Sequence, residues 1–263
     1  MYEFSYVKPG SVADAAKALG AEDAKALAGG MTFIPVLKQR LNKPSAVVDL
    51  SGLGLSGITV SGNTVTIGAM TTHVTVANSA DVKAKIPALA ELAGGIGDIQ
   101  VRHRGTIGGS LANNDPAACY PSAVLGLGAT IKTNKRSIAA DDYFQGMFAT
   151  ALEADEIITA VEFPIPEKAA YEKFRNPASR YAIVGAFVAK FANGARVAIT
   201  GAGQGGVFRF TAAEQALSGD FSEAALASVS HGADGLNADI HASAEYRAHL
   251  ITVTTKRAVA KAR

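Results

Sequence analysis

Two pairs of adjacent glycines, each followed within two residues by a hydroxyl side chain, have the clearest chemical potential in this chain of 263 residues. Gly29 and Gly30 lie in the run AGGMT, and Gly108 and Gly109 lie in the run TIGGS. Glycine has no Cβ, so consecutive backbone N–H groups can converge on an anion. One such loop is weak evidence, because paired glycines most often form tight turns. The two loops together predict a clamp for a pyrophosphate group.

The elements expected around these loops place each loop after a strand-like run. Residues 24–28 and 46–50 predict two strands that enclose a helix from Phe33 to Leu41, with Thr32 as its cap. This β–loop–α–β unit puts the first glycine pair at a helix N-terminus, where free amides and the helix dipole favour an anion. The run VRHR, residues 101–104, is expected to lead into the second pair, with Arg102 and Arg104 either on the solvated face of a strand or near a partner protein.

Composition limits the classes of function. The chain is 48% hydrophobic and 18% charged, which favours a globular protein with a sizeable core. A formal net charge of +2, scattered along the chain, argues against nucleic acid or an anionic membrane as a partner. The first eleven residues lack the apolar region of a signal peptide, and no apolar run predicts a membrane span. We therefore expect a cytoplasmic protein.

The single cysteine, Cys119, excludes several kinds of site within this chain. One thiol cannot form an intrachain disulfide, a thiolate zinc site or an iron–sulfur cluster ligated by this chain. Its neighbours are apolar, which predicts an inert thiol. The five histidines show no spacing typical of metal ligands, so we predict no metal site, and no residue is assigned a catalytic role.

The order of the predicted helices and strands along the chain indicates three structural parts. A linker rich in glycine and serine, residues 51–57, follows the first unit, and a hairpin with strands near 58–60 and 64–67 follows the linker. The pattern of predicted elements changes after Pro166. In this last part, Asn193-Gly194 predicts another hairpin. Capping signals at Ser11 and at Thr211 with Glu214 predict two helices, and residues 82–93 predict a helix interrupted near Pro87. In the tail from Ser243, the helical spacing of Tyr246, Leu250 and Val253 predicts a further helix.

Four blocks occur in an order that resembles a known family. They read AGGMTFIP from residue 28, QVRHRGTIGGSLANNDPAACYP from residue 100, DEIITAVEFPIP from residue 155 and YEKFRNPASRYA from residue 171. Together they resemble the FAD-binding medium subunit of molybdenum hydroxylases, a family that includes the carbon monoxide dehydrogenase medium chain. The blocks span nearly the whole chain, and it is their combination that is specific.

The resemblance implies an α+β fold. A two-lobed FAD-binding domain of the vanillyl-alcohol oxidase or PCMH type is expected over residues 1–165, with lobes 1–54 and 55–165. A C-terminal domain with a small antiparallel sheet and helices is expected over residues 166–263. FAD is expected to lie between the two lobes.

The resemblance also implies the residues that contact FAD. The two glycine loops are expected at the pyrophosphate, Ile96 and Ile158 along the cofactor, Lys173 in contact with it and Tyr181 near the isoalloxazine. The full set is Ala28, Gly29, Gly30, Met31, Thr32, Ile96, Thr106, Ile107, Gly108, Gly109, Ser110, Asp115, Cys119, Ile158, Lys173 and Tyr181.

Several of these residues have simpler interpretations by residue type alone. Asp115 beside Pro116 is typical of a turn, and a lysine such as Lys173 is usually solvated at the surface. Tyr181 is as consistent with core packing as with a contact to the flavin. The family block usually reads D-P-x-x-D, and Cys119 stands in place of its second Asp. A thiol is a poor hydrogen-bond acceptor, so one contact typical of the family is weakened here.

The implied function is electron transfer within a larger enzyme. The chain is expected to take electrons from a small iron–sulfur subunit and pass them to an external acceptor, while a large molybdopterin subunit oxidises the substrate. A dimer of such heterotrimers is expected, with no activity of this chain alone on the organic substrate. A stand-alone FAD-dependent oxidoreductase of the same fold is the alternative, and a nucleotide-binding module without redox chemistry is a third possibility.

Overall fold

A parallel three-stranded sheet at the N-terminus carries the first glycine loop in the computed structural model, which describes residues 1–263. Its strands are β1 (Ser5–Val7), β2 (Lys25–Leu27) and β3 (Ala46–Asp49), in the order β1-β3-β2. Helices α1 (Val12–Leu19) and α2 (Phe33–Lys38) connect them. The predicted β–loop–α–β unit is present, and its strands β2 and β3 pair in parallel.

Helix α1 begins where its sequence predicts. The Ser11 hydroxyl accepts a hydrogen bond from the Asp14 N–H at 3.1 Å and donates one to the Asp14 carboxylate at 2.7 Å. Ala15 and Leu19, four residues apart, point into a small core beneath the sheet. The helix therefore stabilises the platform on which the first glycine loop rests.

A five-stranded antiparallel sheet forms the next part of the chain, in the order β4-β5-β10-β6-β7. Its strands are β4 (Ile58–Ser61), β5 (Thr64–Gly68), β6 (Thr130–Thr133), β7 (Ser137–Ala139) and β10 (Ile158–Pro164), and a separate two-stranded ribbon contains β8 (Phe144–Gly146) and β9 (Ala149–Thr150). The hairpin predicted near residues 58–67 is confirmed as β4 and β5. Strand β10 pairs with both β5 and β6, so it joins the β4–β5 hairpin and the β6–β7 hairpin into one sheet.

Seven helices accompany this sheet. They are α3 (His73–Asn78), α4 (Ala80–Lys85), α5 (Pro87–Gly94), α6 (Ile99–Arg104), α7 (Ile107–Asn113), α8 (Tyr120–Leu127) and α9 (Ala140–Tyr143). The break near Pro87 is confirmed, because Pro87 is the first residue of α5.

The prediction of a strand over residues 101–104 is wrong. These residues belong to helix α6, whose N-cap Asp98 accepts a hydrogen bond from the Val101 N–H at 2.9 Å. A six-residue helix has too few internal hydrogen bonds to form alone, so its cap and its packing on α3 decide its structure. The alternating positions of Arg102 and Arg104 around His103 therefore do not indicate a strand.

The C-terminal part is an antiparallel sheet covered by helices. Its strands are β11 (Lys168–Arg175), β12 (Ala182–Phe191), β13 (Gly194–Thr200) and β14 (Phe208–Arg209), and its helices are α10 (Thr211–Gly219) and α11 (Ala244–Lys261). The Asn193-Gly194 hairpin is confirmed, with Phe191 paired to Gly194 and a φ of +135° at Gly194.

The predicted capping box at Thr211 and Glu214 is wrong. Phe210 occupies the N-cap position of α10, and no side chain caps the helix. The Glu214 carboxylate instead accepts the Val197 N–H at 2.9 Å and pairs with Arg209 at 2.7 Å. A nearby guanidinium is a stronger partner for a carboxylate than a backbone amide at a helix end.

Both faces of the C-terminal sheet are buried. One face, which includes Tyr171, Phe187 and Ala198, shares the largest core with the five-stranded sheet, and the other packs against α10 and α11. The domain boundary expected at residue 165 therefore lies beside a continuous core, and it stays a prediction. No helix in the chain is both long enough and apolar enough to span a bilayer.

Candidate functional site

A cavity of about 740 Å³ lies where the two glycine loops, α6 and the β11–β12 connection meet. The sequence-predicted residues that line it are Ala28, Gly29, Gly30, Met31, Thr32, Ile96, Thr106, Gly108, Gly109, Ser110, Asp115, Cys119, Ile158, Lys173 and Tyr181. Ile107 is the one exception, because its side chain is fully buried in the largest core and its N–H donates to Thr71. The fold thus brings together residues that are up to 153 positions apart, from Ala28 to Tyr181.

The first glycine loop presents a row of free amides. None of the five consecutive backbone N–H groups from Ala28 to Thr32 donates a hydrogen bond within the chain, and all five residues line the cavity. These residues are half-buried or exposed, so their amides are open to an acceptor from outside the chain, either water or a bound anion. Gly30 has a φ of +75°, a conformation that glycine adopts without strain.

The end of this loop differs in one respect from the sequence-based expectation. Thr32 occupies the N-cap position of α2, but its side chain makes no capping hydrogen bond and its φ of −98° is helical. The prediction that the Thr32 hydroxyl caps this helix is therefore wrong. Its hydroxyl and its amide both remain available at the cavity wall.

The second glycine loop uses its amides inside the protein. The Gly108 N–H donates to the Ala69 carbonyl at 2.8 Å, and the Gly109 N–H donates to the Thr106 hydroxyl at 3.1 Å. A Cβ on Gly108 would lie 2.6 Å from the Ala69 Cβ, so this glycine allows close packing. The two loops are not equivalent: the first offers free N–H groups, whereas the second offers the Ser110 hydroxyl, which has no partner in the chain.

Lys173 is a junction between segments that are distant in sequence. Its ammonium donates to the Gly95 carbonyl at 2.8 Å and to the Arg180 carbonyl at 3.1 Å, and it lies 3.5 Å from Cys119 Sγ. A lysine ammonium has three protons. The interpretation of Lys173 as a solvated surface residue is wrong, because its side chain is half-buried and bonded on three sides.

Arg102 binds the same stretch of cavity wall. One nitrogen, Nη1, donates to the carbonyls of Ile96 and Gly97 at 3.0 Å each. Gly97 has a φ of +50°, and a Cβ there would lie 2.9 Å from the Val101 Cβ. The conformation of this wall therefore depends on glycine and on basic side chains.

Asp115 and Tyr181 can now be assigned local roles. The Asp115 carboxylate accepts the Ala117 N–H at 2.9 Å, so the turn predicted from its residue type is present. Tyr181 is 48% exposed, which rules out the core-packing alternative for this side chain. Partial burial, then Asp115 and Cys119, raise the pKa of the Tyr181 hydroxyl, so it stays protonated at neutral pH.

Two titratable residues at the cavity were missed by sequence reasoning. His73 is 5% exposed, and burial, followed by the charge of Arg102, lowers its pKa to about 4. Glu156 is buried, and its hydrogen bonds from Arg136 lower its pKa to about 2. No local pattern distinguishes either residue, because the guanidinium groups that act on them, Arg102 for His73 and Arg136 for Glu156, belong to distant segments.

The cavity suits a dinucleotide with a flavin. Its volume falls within the range of small-molecule sites, and half of its lining residues are hydrophobic. The amides of residues 28–32 are unpaired at its wall, and Gly29 has no space for a Cβ against the Arg104 carbonyl. No group of three or more His, Cys, Asp or Glu side chains is placed to hold a metal ion.

Comparison with known proteins identifies the family. Residues 2–166 match the family model described as the FAD binding domain in molybdopterin dehydrogenase. The chain belongs to this family. The prediction of an FAD-binding oxidoreductase chain of the molybdenum hydroxylase class is thereby confirmed.

Two curated relatives match this family member over almost its full length. The nicotine 6-hydroxylase medium subunit of Paenarthrobacter nicotinovorans is 36% identical, with 98% of this chain and 96% of the relative covered. The carbon monoxide dehydrogenase medium chain of Afipia carboxidovorans is also 36% identical, with 99% and 96% covered.

A solved structure confirms the α+β fold of the family member. A chain of the carbon monoxide dehydrogenase from Hydrogenophaga pseudoflava superposes with a TM-score of 0.89 at 32% identity, covering 98% of this chain and 96% of that one. That structure is described as lacking the Mo-pyranopterin moiety of the molybdenum cofactor. The arrangement of sheets and helices described above is therefore the arrangement of this family.

Proposed function

We propose that this chain is the FAD-carrying medium subunit of a three-subunit molybdenum hydroxylase, and that FAD occupies the cavity described above. The observation that carries the proposal is the run of five unpaired amides, from Ala28 to Thr32, at the cavity wall. A diphosphate has the charge and the acceptor oxygens that such a run satisfies.

The residues of the two glycine loops would hold the diphosphate end. The amides of the first loop would donate to the diphosphate, and the Thr32 and Ser110 hydroxyls lie where they can add hydrogen bonds. Gly109 and Thr106 keep the second loop tight against the first, with a Cβ on Gly109 only 3.4 Å from that of Ala28. The second loop thus shapes the clamp, and the first supplies most of its donors.

The remaining predicted residues would surround the flavin end. Ile96 and Ile158 provide apolar walls, and Tyr181 stands half-exposed at the opening, where its ring can cover the cofactor. Lys173 and Cys119 lie side by side beneath this region. Ile96, Ile158 and Tyr181 would orient the ring system and limit the access of water to it.

FAD supplies the redox chemistry, because it can exchange electrons singly with an iron–sulfur cluster and in pairs with an acceptor. The contribution of this chain is binding, orientation and electrostatics. His73 is neutral at physiological pH, given its low pKa, and therefore adds no positive charge to the wall. Glu156 is ionised but fully engaged by Arg136 and Thr133.

The partners are proposed from chemical inventory and from the relatives. One cysteine cannot ligate an iron–sulfur cluster, and the relatives are named as medium subunits or chains. We assign the clusters to a small subunit and the molybdopterin to a large one, in a dimer of heterotrimers. Within this chain we assign residues 1–165, with lobes 1–54 and 55–165, to FAD and residues 166–263 to a C-terminal domain.

Purification of the chain with and without its partners tests the proposal. We expect a yellow protein whose flavin is released by acid precipitation as FAD, and a native complex that contains molybdenum and iron. An unpigmented protein that does not bind added FAD would refute the cofactor assignment. A flavoprotein whose native form lacks both metals and oxidises an organic substrate would support the stand-alone alternative.

A further inference from the structure

Three basic side chains converge on one short segment of the cavity wall, residues 94–98. Lys173 donates to the carbonyl of residue 95, Arg102 to those of residues 96 and 97, and Arg180 to that of residue 97 at 3.5 Å. None of the three forms an ion pair with a carboxylate. The charges are therefore solvated by backbone carbonyls and are not neutralised.

The carboxylates that line the same cavity have other partners. Asp98 accepts the N–H at the start of α6, and Asp115 accepts the Ala117 N–H, each at 2.9 Å. Glu156 pairs with Arg136. Asp98 and Asp115 keep their negative charges, but neither forms an ion pair with Lys173, Arg102 or Arg180.

Cys119 occupies the position where a compensating carboxylate could sit. Its sulfur lies 3.5 Å from Lys173 Nζ, and a thiol is only a weak acceptor. Two backbone carbonyls take the other two ammonium protons. Lys173 consequently has no N–H left for a bound molecule and can act on it only through its charge.

We propose that Lys173 and Arg102 form a fixed positive element that favours the reduced, more electron-rich state of the bound flavin, and that Cys119 leaves this element uncompensated. The proposal rests on FAD binding as proposed above. Both side chains are half-buried, so water screens them less than it screens the exposed Arg180. The field of Arg102 already reaches the cavity wall, because it contributes to the low pKa of His73.

The reduction potential of FAD bound to the full-length chain tests this element. Lys173→Gln keeps a donor for the carbonyl of residue 95 but removes the charge, and Cys119→Asp adds a carboxylate beside the ammonium. Each change should lower the ratio of reduced-state to oxidised-state affinity about tenfold, which equals about 30 mV for a two-electron couple. Lys173→Arg and Cys119→Ser are the matched controls and should leave the potential as in the wild type.

The outcomes separate charge from geometry. Unchanged potentials in both Lys173→Gln and Cys119→Asp would overturn the proposal. A raised potential in Cys119→Ser would also overturn it, since it would show that the sulfur carries a negative charge that already compensates Lys173. If Lys173→Gln no longer retains FAD, the potential of Cys119→Asp decides alone. A wild-type chain that binds no FAD would instead refute the proposed function.

Discussion

Gly29 lies directly against the backbone carbonyl of Arg104, so that any Cβ at residue 29 would overlap the carbonyl oxygen. This contact joins the first glycine loop to the end of α6, one residue before the turn that leads into the second loop. The absence of a side chain at Gly29 thus lets the first loop pack directly against the segment that leads into the second loop. The free amides beside it depend on that approach for their position.

Gly29→Ala should therefore weaken FAD binding with the fold retained. The overlap must be relieved by moving one loop from the other, at a cost of about 1–3 kcal/mol, which corresponds to roughly a 5- to 150-fold loss of affinity. Titration of the apoprotein with FAD measures the loss. Gly10→Ala is the matched control, because nothing lies within 4 Å of a Cβ there. Wild-type affinity in Gly29→Ala would contradict the close-approach role.

Gly108→Ala should act mainly on stability. A Cβ there would lie 2.6 Å from the Ala69 Cβ and 2.8 Å from its carbonyl oxygen, in the buried core beneath the loop. Overpacking of this kind costs about 1–3 kcal/mol. Denaturant unfolding of the apoproteins should show a lower free energy of unfolding for Gly108→Ala than for Gly10→Ala. An equally stable variant that has lost FAD would assign Gly108 to the cofactor instead.

Glu156 should make the chain sensitive to acid. Its folded-state pKa of about 2 lies below the unfolded value of about 4.3, so its stabilising effect is present above pH 4.3 and is lost as pH falls towards 2. The contribution is on the order of 3 kcal/mol. The free energy of unfolding, measured between pH 6 and 2, should fall more steeply for the wild type than for Glu156→Gln. Parallel curves would show that the carboxylate is not selectively stabilised.

His73 should stay neutral well below the usual range for a histidine. Burial, followed by the positive charge of Arg102, gives it a pKa of about 4. Because the unfolded chain takes up this proton first, His73 has no effect on stability above about pH 6.5, and it destabilises the folded chain increasingly as pH falls from 6.5 to 4. NMR titration of the ring measures the value directly. Arg102→Gln should raise the pKa, and an unchanged pKa would mean that burial alone sets it.

The isolated chain should hold FAD noncovalently but should not oxidise an organic substrate or carbon monoxide. It has one cysteine, so it cannot ligate a cluster, and the flavin alone does not supply the oxygen-transfer chemistry of a molybdenum centre. Activity should appear only when the small and large subunits are added. Turnover by the purified chain, with molybdenum and iron absent by metal analysis, would contradict this prediction.

The sequence alone was sufficient for those features that local chemistry controls. The capped start of α1 at Ser11, the break at Pro87 and the turn at Asn193-Gly194 each depend on a few neighbouring residues, and all three are present in the structure. The family could also be identified, because four separated blocks keep a fixed order. The first glycine loop was found for the same reason, since its glycines and the helix that follows are adjacent in the chain.

Only the tertiary structure decided which backbone and side-chain groups are free at the site. The amide of Gly108 looks like that of Gly30 in the sequence, but the Ala69 carbonyl, 39 residues away, takes its proton. Residues 101–104 form a helix because α3 and the Asp98 cap support it. Lys173 is bonded on three sides by segments 7, 54 and 78 residues away. Hydrogen-bond pairing and electrostatic compensation are set by neighbours in space, and sequence patterns record only neighbours along the chain.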